Sequence, residues 1–514
     1  MFEQYKHLPG HQVTLIDGGL HIQEPTPATA AMERVLILGT ATDGPVGVPV
    51  RIRRANDVAS TFGTYVDETG AYNGATLAMG YSEAYAGGAR NIYLMRITGK
   101  PAEYTLTDED DKPQLIVRSA MAGDRYNQMA VAVVGTTLQI WSVADSGNSQ
   151  PTMAYNLDDY ATYRQLMNAF NEDQEVHGAV LVLAENIRED DAVKLAAIMK
   201  TNLAGGDDEL DLPLGSYDQP GTYRHALGVA YEAIKEGNFS VIVPRGVHVR
   251  VPEVGSGFGS PDYTDAEKLG ELLLHMNKQE YPAVGVIGVS RLNDPTPAKV
   301  KAFADALVNN PPSIIVEGED AGRYISIVVA EPTFFDANLG VYANDGAAIY
   351  GGLVSSLPSH HSTTNTAVPG SLGLRWFFTL SDLDRLTGAG FVTMRHRRNR
   401  GIVVTADPTA AARNSDYMYL STVRIVNEVV GVIRQIASPY IGRPVSGEKR
   451  NSLETDIQTA LESMQRQGKL LDANFTIDST IYGFVRGELD IELDLVPPFI
   501  LRRLNVRISL RPTS

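Results

Sequence analysis

The sequence has no cysteine in 514 residues, which excludes disulfides, thiol catalysis and thiolate metal sites together. It has no uninterrupted apolar run of about 18 residues, the length a membrane-spanning helix needs. The N-terminal MFEQYKHLPGHQ lacks a basic stretch leading into an apolar core, so no secretory signal is expected. Positive charge is scarce. The chain carries 44 Lys and Arg against 61 Asp and Glu, a net of −17, which argues against general binding of nucleic acid. Motifs for nucleotides, metals and nucleophiles are missing as well. Gly255-Ser256-Gly257-Phe258-Gly259 is glycine-rich but is not G-x-G-x-x-G, and no strand feeds it into a helix. Asp108–Asp111 lacks EF-hand spacing and reads as a solvated hairpin loop. His360-His361 has no partner at a recognised ligand spacing. Ser355 and Ser356 stand near those histidines without a G-x-S-x-G elbow or an evident third member. No catalytic residue, cofactor or metal is expected.

What is present describes a globular chain, 43% hydrophobic and 20% charged, long enough for roughly three or four domains. Its charge is uneven. Phe391–Arg450 holds ten Lys/Arg and four Asp/Glu, a net of +6, whereas Asn451–Ser514 is at −2. A basic patch on an acidic body suggests that the two meet different surroundings. Within it, Arg395, Arg397, Arg398 and Arg400 cluster between the apolar runs Phe391–Met394 and Ile402–Val404. The run reads either as a solvated turn or as a patch that docks on an acidic partner.

The N-terminus offers two short strands, Val13–Ile16 and Leu20–Gln23, and then the extended linker EPTPATAA. Arg34–Gly39, the helical pieces Asn56–Phe62 and Ala75–Ala86, and Asn91–Ile97 make a small βαβ unit. From Pro101 to about Asn186 the texture is strand and loop. Between Tyr223 and Pro332 helices Tyr223–Lys235, Ala266–Asn277 and Pro297–Asn309 alternate with strands, which predicts a parallel sheet under helices. Thr422–Ala437 reads as a helix with Val426, Val429, Val430, Ile433 and Ile436 on one face. Arg424 and Glu428 form an i,i+4 pair on the other. A second amphipathic helix, Asn451–Gln467, is apolar at Leu453, Ile457, Ala460, Leu461 and Met464, with Asn451 and Glu454 as its start signal and Gly468 as its stop.

The stretch Gly487–Arg511 has the strongest patterning of all. Leu489, Ile491, Leu493 and Leu495 alternate with acidic residues. After Pro497-Pro498, Leu504, Val506, Ile508 and Leu510 alternate with Arg503, Asn505, Arg507 and Ser509. Period-two alternation predicts half-buried strands, and opposite charges could meet across a ladder. The two prolines favour an extended link over a tight hairpin, so the last strand can pair at home or with another molecule.

Four motifs in order resemble the tail sheath protein of contractile bacteriophage tails. GGLHIQE at Gly18–Glu24 is similar to the PGVYVEE-type strand of that family, with Gly where Pro is common and 17 residues ahead of it. RVLILGTATDGPVGVPVRIRRANDVASTFG (Arg34–Gly63) and YAGGARNIYLMRI (Tyr85–Ile97) resemble the sheath N-terminal domain. Tyr417–Gly442, with the helix and β-region after it, resembles the C-terminal domain.

The resemblance implies a multidomain α/β and α+β chain: a sheath-type C-terminal α+β domain completed by the N-terminal strand, with inserted α/β and β-rich outer domains. The expected divisions are an arm and linker (1–32), a small α/β domain (33–100), a β-rich insert (101–186), an α/β domain (187–372), an inner domain (373–495) and a C-terminal arm (496–514). It further implies stacked hexameric rings around a tail tube, linked by strand exchange. Val13, Leu15, Leu20 and Ile22 would form the N-terminal arm. Arg503, Leu504, Val506, Arg507, Ile508 and Leu510 would form the C-terminal arm, and Leu489, Ile491 and Leu493 the receiving strand. Arg395, Arg397, Arg398 and Arg400 would face the tube. The implied partners are copies of the chain itself, the tail tube protein, and baseplate and tail terminator proteins, with no nucleic acid and no membrane insertion. The implied setting is a virion assembled in the host cytoplasm. A phage tail and a phage-derived particle such as an R-type bacteriocin read alike here. A two-chain secretion sheath fits poorly, since one chain spans both arms. An α/β enzyme would need a convergent polar site at the strand C-termini.

Overall fold

The computed structural model describes residues 34–255, 257–279, 281–441, 447–478 and 490–502. The chain begins with β1 (Arg34–Gly39), β2 (Val50–Ile52), α1 (Ala55–Phe62), α2 (Leu77–Gly87) and β3 (Asn91–Arg96). β3 lies parallel to β1, and β2 pairs antiparallel on the outside of β3. This is the expected βαβ unit.

An insert follows, with a core of its own around Leu115, Val131, Ile140 and Phe170. Its strands are β4 (Pro101–Thr107), β5 (Pro113–Ala122), β6 (Ala130–Val134), β7 (Thr137–Trp141) and β8 (Met153–Asn156). Helix α3 (Tyr163–Glu172), β9 (Ala179–Leu183) and β10 (Ile198–Asn202) complete it. One antiparallel sheet runs β4-β5-β9 and the other β10-β6-β7-β8. β10 lies beyond residue 186 yet belongs here, because it satisfies the backbone edge of β6. Backbone pairing of Ala204 with Glu103 and of Asp207 with Lys100 then closes the insert. Fully buried Arg96 fastens it to the rest, donating to the Ala122 carbonyl at 2.7 Å and pairing with Asp208 at 3.4 Å.

The next stretch alternates as its sequence predicts: α4 (Tyr223–Ile234), β11 (Val241–Pro244), α5 (Thr264–Lys278), β12 (Val284–Val289), α6 (Pro297–Asn309) and β13 (Ile325–Val329). A small antiparallel sheet of β14 (Pro332–Asp336), β15 (Gly340–Ala343) and β16 (Gly373–Leu374) flanks helix α7 (Ala347–Ser356). Helix α8 (Leu380–Gly388) then leads to β17 (Phe391–Arg397) and β18 (Gly401–Val404).

The strands expected in separate units join one sheet, in the order β2-β3-β1-β11-β12-β13-β17-β18, with the short His248–Val249 beside β12. β3 through β17 are all parallel. The sheet therefore crosses the sequence divisions at 100, 187 and 373. The reason lies in β1: Val35 to Leu38 are fully buried, and a strand covered on both faces needs a parallel neighbour on each side. β3 supplies one, and β11 supplies the other only after the insert has been completed. Helices α4, α5, α6 and α8 cover one face of the sheet, and α1, α2 and α7 the other.

The last elements are α9 (Leu420–Ala437), α10 (Gly447–Arg466), β19 (Asp472–Asp478) and β20 (Asp490–Val496). They build a separate core from Ile425, Val429, Ile433, Leu453, Ile457, Leu461 and Met464. α9 serves two cores, because its first turn sends Leu420 and Val423 into the main body. The expected stripe is thus displaced: Val429 and Ile433 are buried, whereas Val426, Val430 and Ile436 are half-buried. α10 starts before Asn451, whose carbonyl accepts a bond from Thr455 inside the helix, so Asn451 is not its cap. Gly468 ends the helix turn with φ +73°, as its position predicts.

Helices α2 and α7 cross at glycines. A Cβ on Gly352 would lie 2.2 Å from the Ala84 carbonyl oxygen, and one on Gly87 2.4 Å from that of Ile349. Gly352→Val should therefore destabilise the fold by about 3 kcal/mol by forcing the helices apart, read as a lowered urea midpoint with an unchanged slope.

Candidate functional site

The alternation of the C-terminal stretch is realised from Asp490 to Val496. β20 pairs antiparallel with β19, with Leu495 opposite Ala473, Leu493 opposite Phe475 and Ile491 opposite Ile477. These apolar residues pack on the core of α9 and α10, while Glu492 and Asp494 point to solvent opposite Thr476 and Asn474. The acidic face therefore meets neutral polar groups in this ladder. Among the described residues the sheet has two strands, so each keeps one edge of backbone N–H and C=O groups without a ladder partner. Ile491 and Leu493 of the expected receiving strand are on β20. Leu489 lies outside the described residues, as do Val13, Leu15, Leu20 and Ile22, and Arg503, Leu504, Val506, Arg507, Ile508 and Leu510.

Beyond β20 the chain runs through Pro497 and Pro498 to Phe499 and Leu501, whose side chains are 87% and 77% exposed. Arg502 then turns back to the body. Its Nη1 donates to Asp407 Oδ1 at 2.5 Å and to the Thr364 hydroxyl at 3.2 Å. The guanidinium carbon stands 3.4 Å from the centre of the Tyr419 ring.

Arg424 and Glu428 are not the outward pair that their spacing suggests. Each is only 3% exposed. The guanidinium of Arg424 donates to the carbonyls of Leu357 and Pro358, and burial pushes its pKa down to about 10 against the opposing pull of Tyr350 and Glu428. Glu428 receives the Ser359 hydroxyl on one oxygen and Lys469 Nζ at 2.6 Å on the other. The loop after α7, the helix α9 and the turn before β19 are thus bound by one buried polar network. An i,i+4 pair looks the same in sequence whether solvent or a loop faces it, and the only available hint was the density of apolar residues around Arg424.

The arginine run forms the β17–β18 hairpin, with Asn399 at φ +68° in its turn. Arg397, Arg398 and Arg400 are exposed and make no ion pair among the described residues, while Arg395 is half-buried. Burial first, and Arg397 second, lowers the Arg395 pKa. The turn expected between the two apolar runs is there, and it projects from the end of the central sheet.

A polar cluster that sequence reading missed sits at the C-terminal end of the parallel strands. Arg245, following β11, bonds Asp345 at 2.7 Å and approaches Glu83 at 3.5 Å; His248 bonds the other Asp345 oxygen at 2.9 Å. Arg245, Glu83 and Asp345 are buried, and Asp345 also accepts the Ala347 amide at the start of α7. Burial raises the Glu83 pKa; it would raise that of Asp345 too, but Arg245 and His248 outweigh it and hold that carboxyl below the ordinary range. Such a cluster ties α2, β11 and α7 together. Arg245 sits between the two carboxylates, and His248, the most exposed member, meets Asp345 from the other side. Ser355 and Ser356 donate back to the Gly352 and Leu353 carbonyls at 2.9 Å, and His360 packs edge-on against His361. Asp108–Asp111 forms the expected β4–β5 turn, with Asp108 accepting from the amides of Asp110 and Lys112. Among the described residues no helix is long and apolar enough to cross a membrane.

The sequence matches no protein-family profile and no curated protein. Solved structures do match over almost the whole chain. A sheath tail protein from Listeria innocua is 13% identical, with a TM-score of 0.53 over 91% of this chain and 98% of that one. The helical sheath of the anti-feeding prophage in its contracted state is 13% identical, with a TM-score of 0.53 over 97% of this chain and 99% of its own. The sheath complex of an extracellular contractile injection system, also contracted, is 10% identical, with a TM-score of 0.50 over 93% and 91%. The chain has the contractile tail sheath fold. These counterparts are structural proteins, not enzymes.

Lys469→Met would remove the ammonium that bonds buried Glu428 at 2.6 Å. We expect a loss of about 3 kcal/mol in urea unfolding, and a smaller loss when Glu428→Gln accompanies it.

Proposed function

We propose that this chain is the structural subunit of a contractile tail sheath, which works by polymerising and changing its lattice. The observation that carries the reading is the likeness in fold to the contracted anti-feeding prophage sheath, which covers 97% of this chain and 99% of that one. Subunits would form hexameric rings stacked around a tail tube and linked through N- and C-terminal strand exchange. Contraction would then drive the tube through the host envelope. Its partners would be further copies of the chain, the tail tube protein, and baseplate and terminator proteins. The particle would be a virion assembled in the bacterial cytoplasm. A phage-derived injection particle is the second reading, favoured by the likeness to the anti-feeding prophage and to an extracellular contractile injection system.

Physical arguments support strand exchange as the joint. A donated strand is held by main-chain hydrogen bonds of roughly 0.5–1.5 kcal/mol net each, and its register is set by alternating side chains. β20 offers both an edge and an alternating pattern. A joint made of backbone ladders on extended tethers lets rigid bodies rotate while staying connected, so a sheath can pass between two packings without coming apart.

Electron microscopy of the purified chain tests the reading. Rings or long hollow cylinders are expected, and discrete particles that never polymerise at any concentration would overturn it. Deleting Val496–Ser514 should give folded subunits that build no connected lattice; normal cylinders would refute the C-terminal arm. Arg397→Ala, Arg398→Ala and Arg400→Ala together should weaken assembly on the tube most at low salt, where their charges are least screened. Unchanged assembly at every salt concentration would make the run a solvated turn.

A further inference from the structure

We infer that Asp407, Thr364 and Tyr419 form a guanidinium site that fastens the C-terminal arm to its own subunit through Arg502, so that exchange between copies starts beyond residue 502. The inference rests on the sheath reading for its role, though not for its geometry. Asp407 is 1% exposed, and a buried carboxylate needs a cation within bonding distance. Arg502 supplies it at 2.5 Å, from a position 95 residues along the chain. The rest of the site suits an arginine and not simply a positive charge. The Thr364 hydroxyl takes a hydrogen bond from the same nitrogen at 3.2 Å, and the Tyr419 ring receives the flat guanidinium at 3.4 Å. A lysine could keep the charge but not the stacking.

The stretch before Arg502 fits an anchored tether. Pro497 and Pro498 restrict the path to extended conformations, which limits how far β20 and the anchor can move relative to each other. Ile500 and Arg502 are half-buried, whereas Phe499 and Leu501 are exposed. One face of the tether is therefore committed at home. The arm expected from residue 496 would begin to exchange later, with the residues up to 502 serving as its fixed end. A fixed end shortens the free arm and narrows the volume its strand must search, which raises its effective concentration at the neighbouring edge.

Limited chymotrypsin digestion of the unpolymerised chain, at Phe499 and Leu501, reads the anchor without any need for assembly. Arg502→Ala should speed cleavage there about tenfold, because the tether is released while the fold remains. Should Asp407 left alone unfold the protein, the double variant Arg502→Ala with Asp407→Asn removes both charges and should show the same acceleration. Arg502→Lys should fall between. Cleavage in the double variant at the wild-type rate would overturn the anchor. Sedimentation of polymer then reads its role: the double variant should assemble into connected cylinders at least several-fold less readily than wild type, and equal assembly would overturn that role. If wild type itself never polymerises, the sheath reading fails, and the cleavage result still decides the anchor.

Discussion

Two buried carboxylates bind the C-terminal lobe to the rest of the molecule. The lobe has its own core, from α9, α10, β19 and β20, separate from the cores on either face of the central sheet. The first turn of α9 reaches across to the main body through Leu420 and Val423. Glu428 meets Lys469 and Ser359, and Asp407 meets Arg502 and Thr364. A buried charge with its partner adds modest stability, but one without its partner is costly, so such contacts fix position more than they add strength. A lobe positioned in this way can hold an edge strand at a defined place on a large body.

The body owes its construction to a similar constraint on the backbone. β1 is buried on both faces and must find two parallel partners, and the chain delivers the second only after a β-rich insert. The insert is closed by backbone pairing and clamped through Arg96, so the sheet is completed after it by the strands that follow.

Much of this was legible in the sequence, and the gaps have physical causes. Helices Tyr223–Ile234, Thr264–Lys278 and Pro297–Asn309 and the strands after them announce themselves by local periodicity, which is a local property. The sheet they share with β1 and β17 does not, since parallel partners are chosen by long-range packing. α10 begins ahead of Asn451, which stands inside it, so a residue that can cap a helix does not by itself mark where one starts. Arg424 with Glu428, and Arg245 with Asp345, are invisible to spacing rules because each gets its meaning from a loop or helix far away in sequence. The alternating pattern of Ile491, Leu493 and Leu495 was readable at once, and only the structure adds that β19 takes one of its edges.

That leaves the other edge of β20 as the place where one subunit would become a lattice. A backbone edge is satisfied by water in an isolated subunit and by a donated strand in a polymer, and amide hydrogen exchange separates the two. The decisive measurement is exchange at the amides of Asp490–Val496 that do not bond to β19, in the free chain and in assembled cylinders. Strand donation predicts fast exchange in the free chain and strong protection at alternate residues after assembly. Equal, fast exchange at those amides in both states would contradict it.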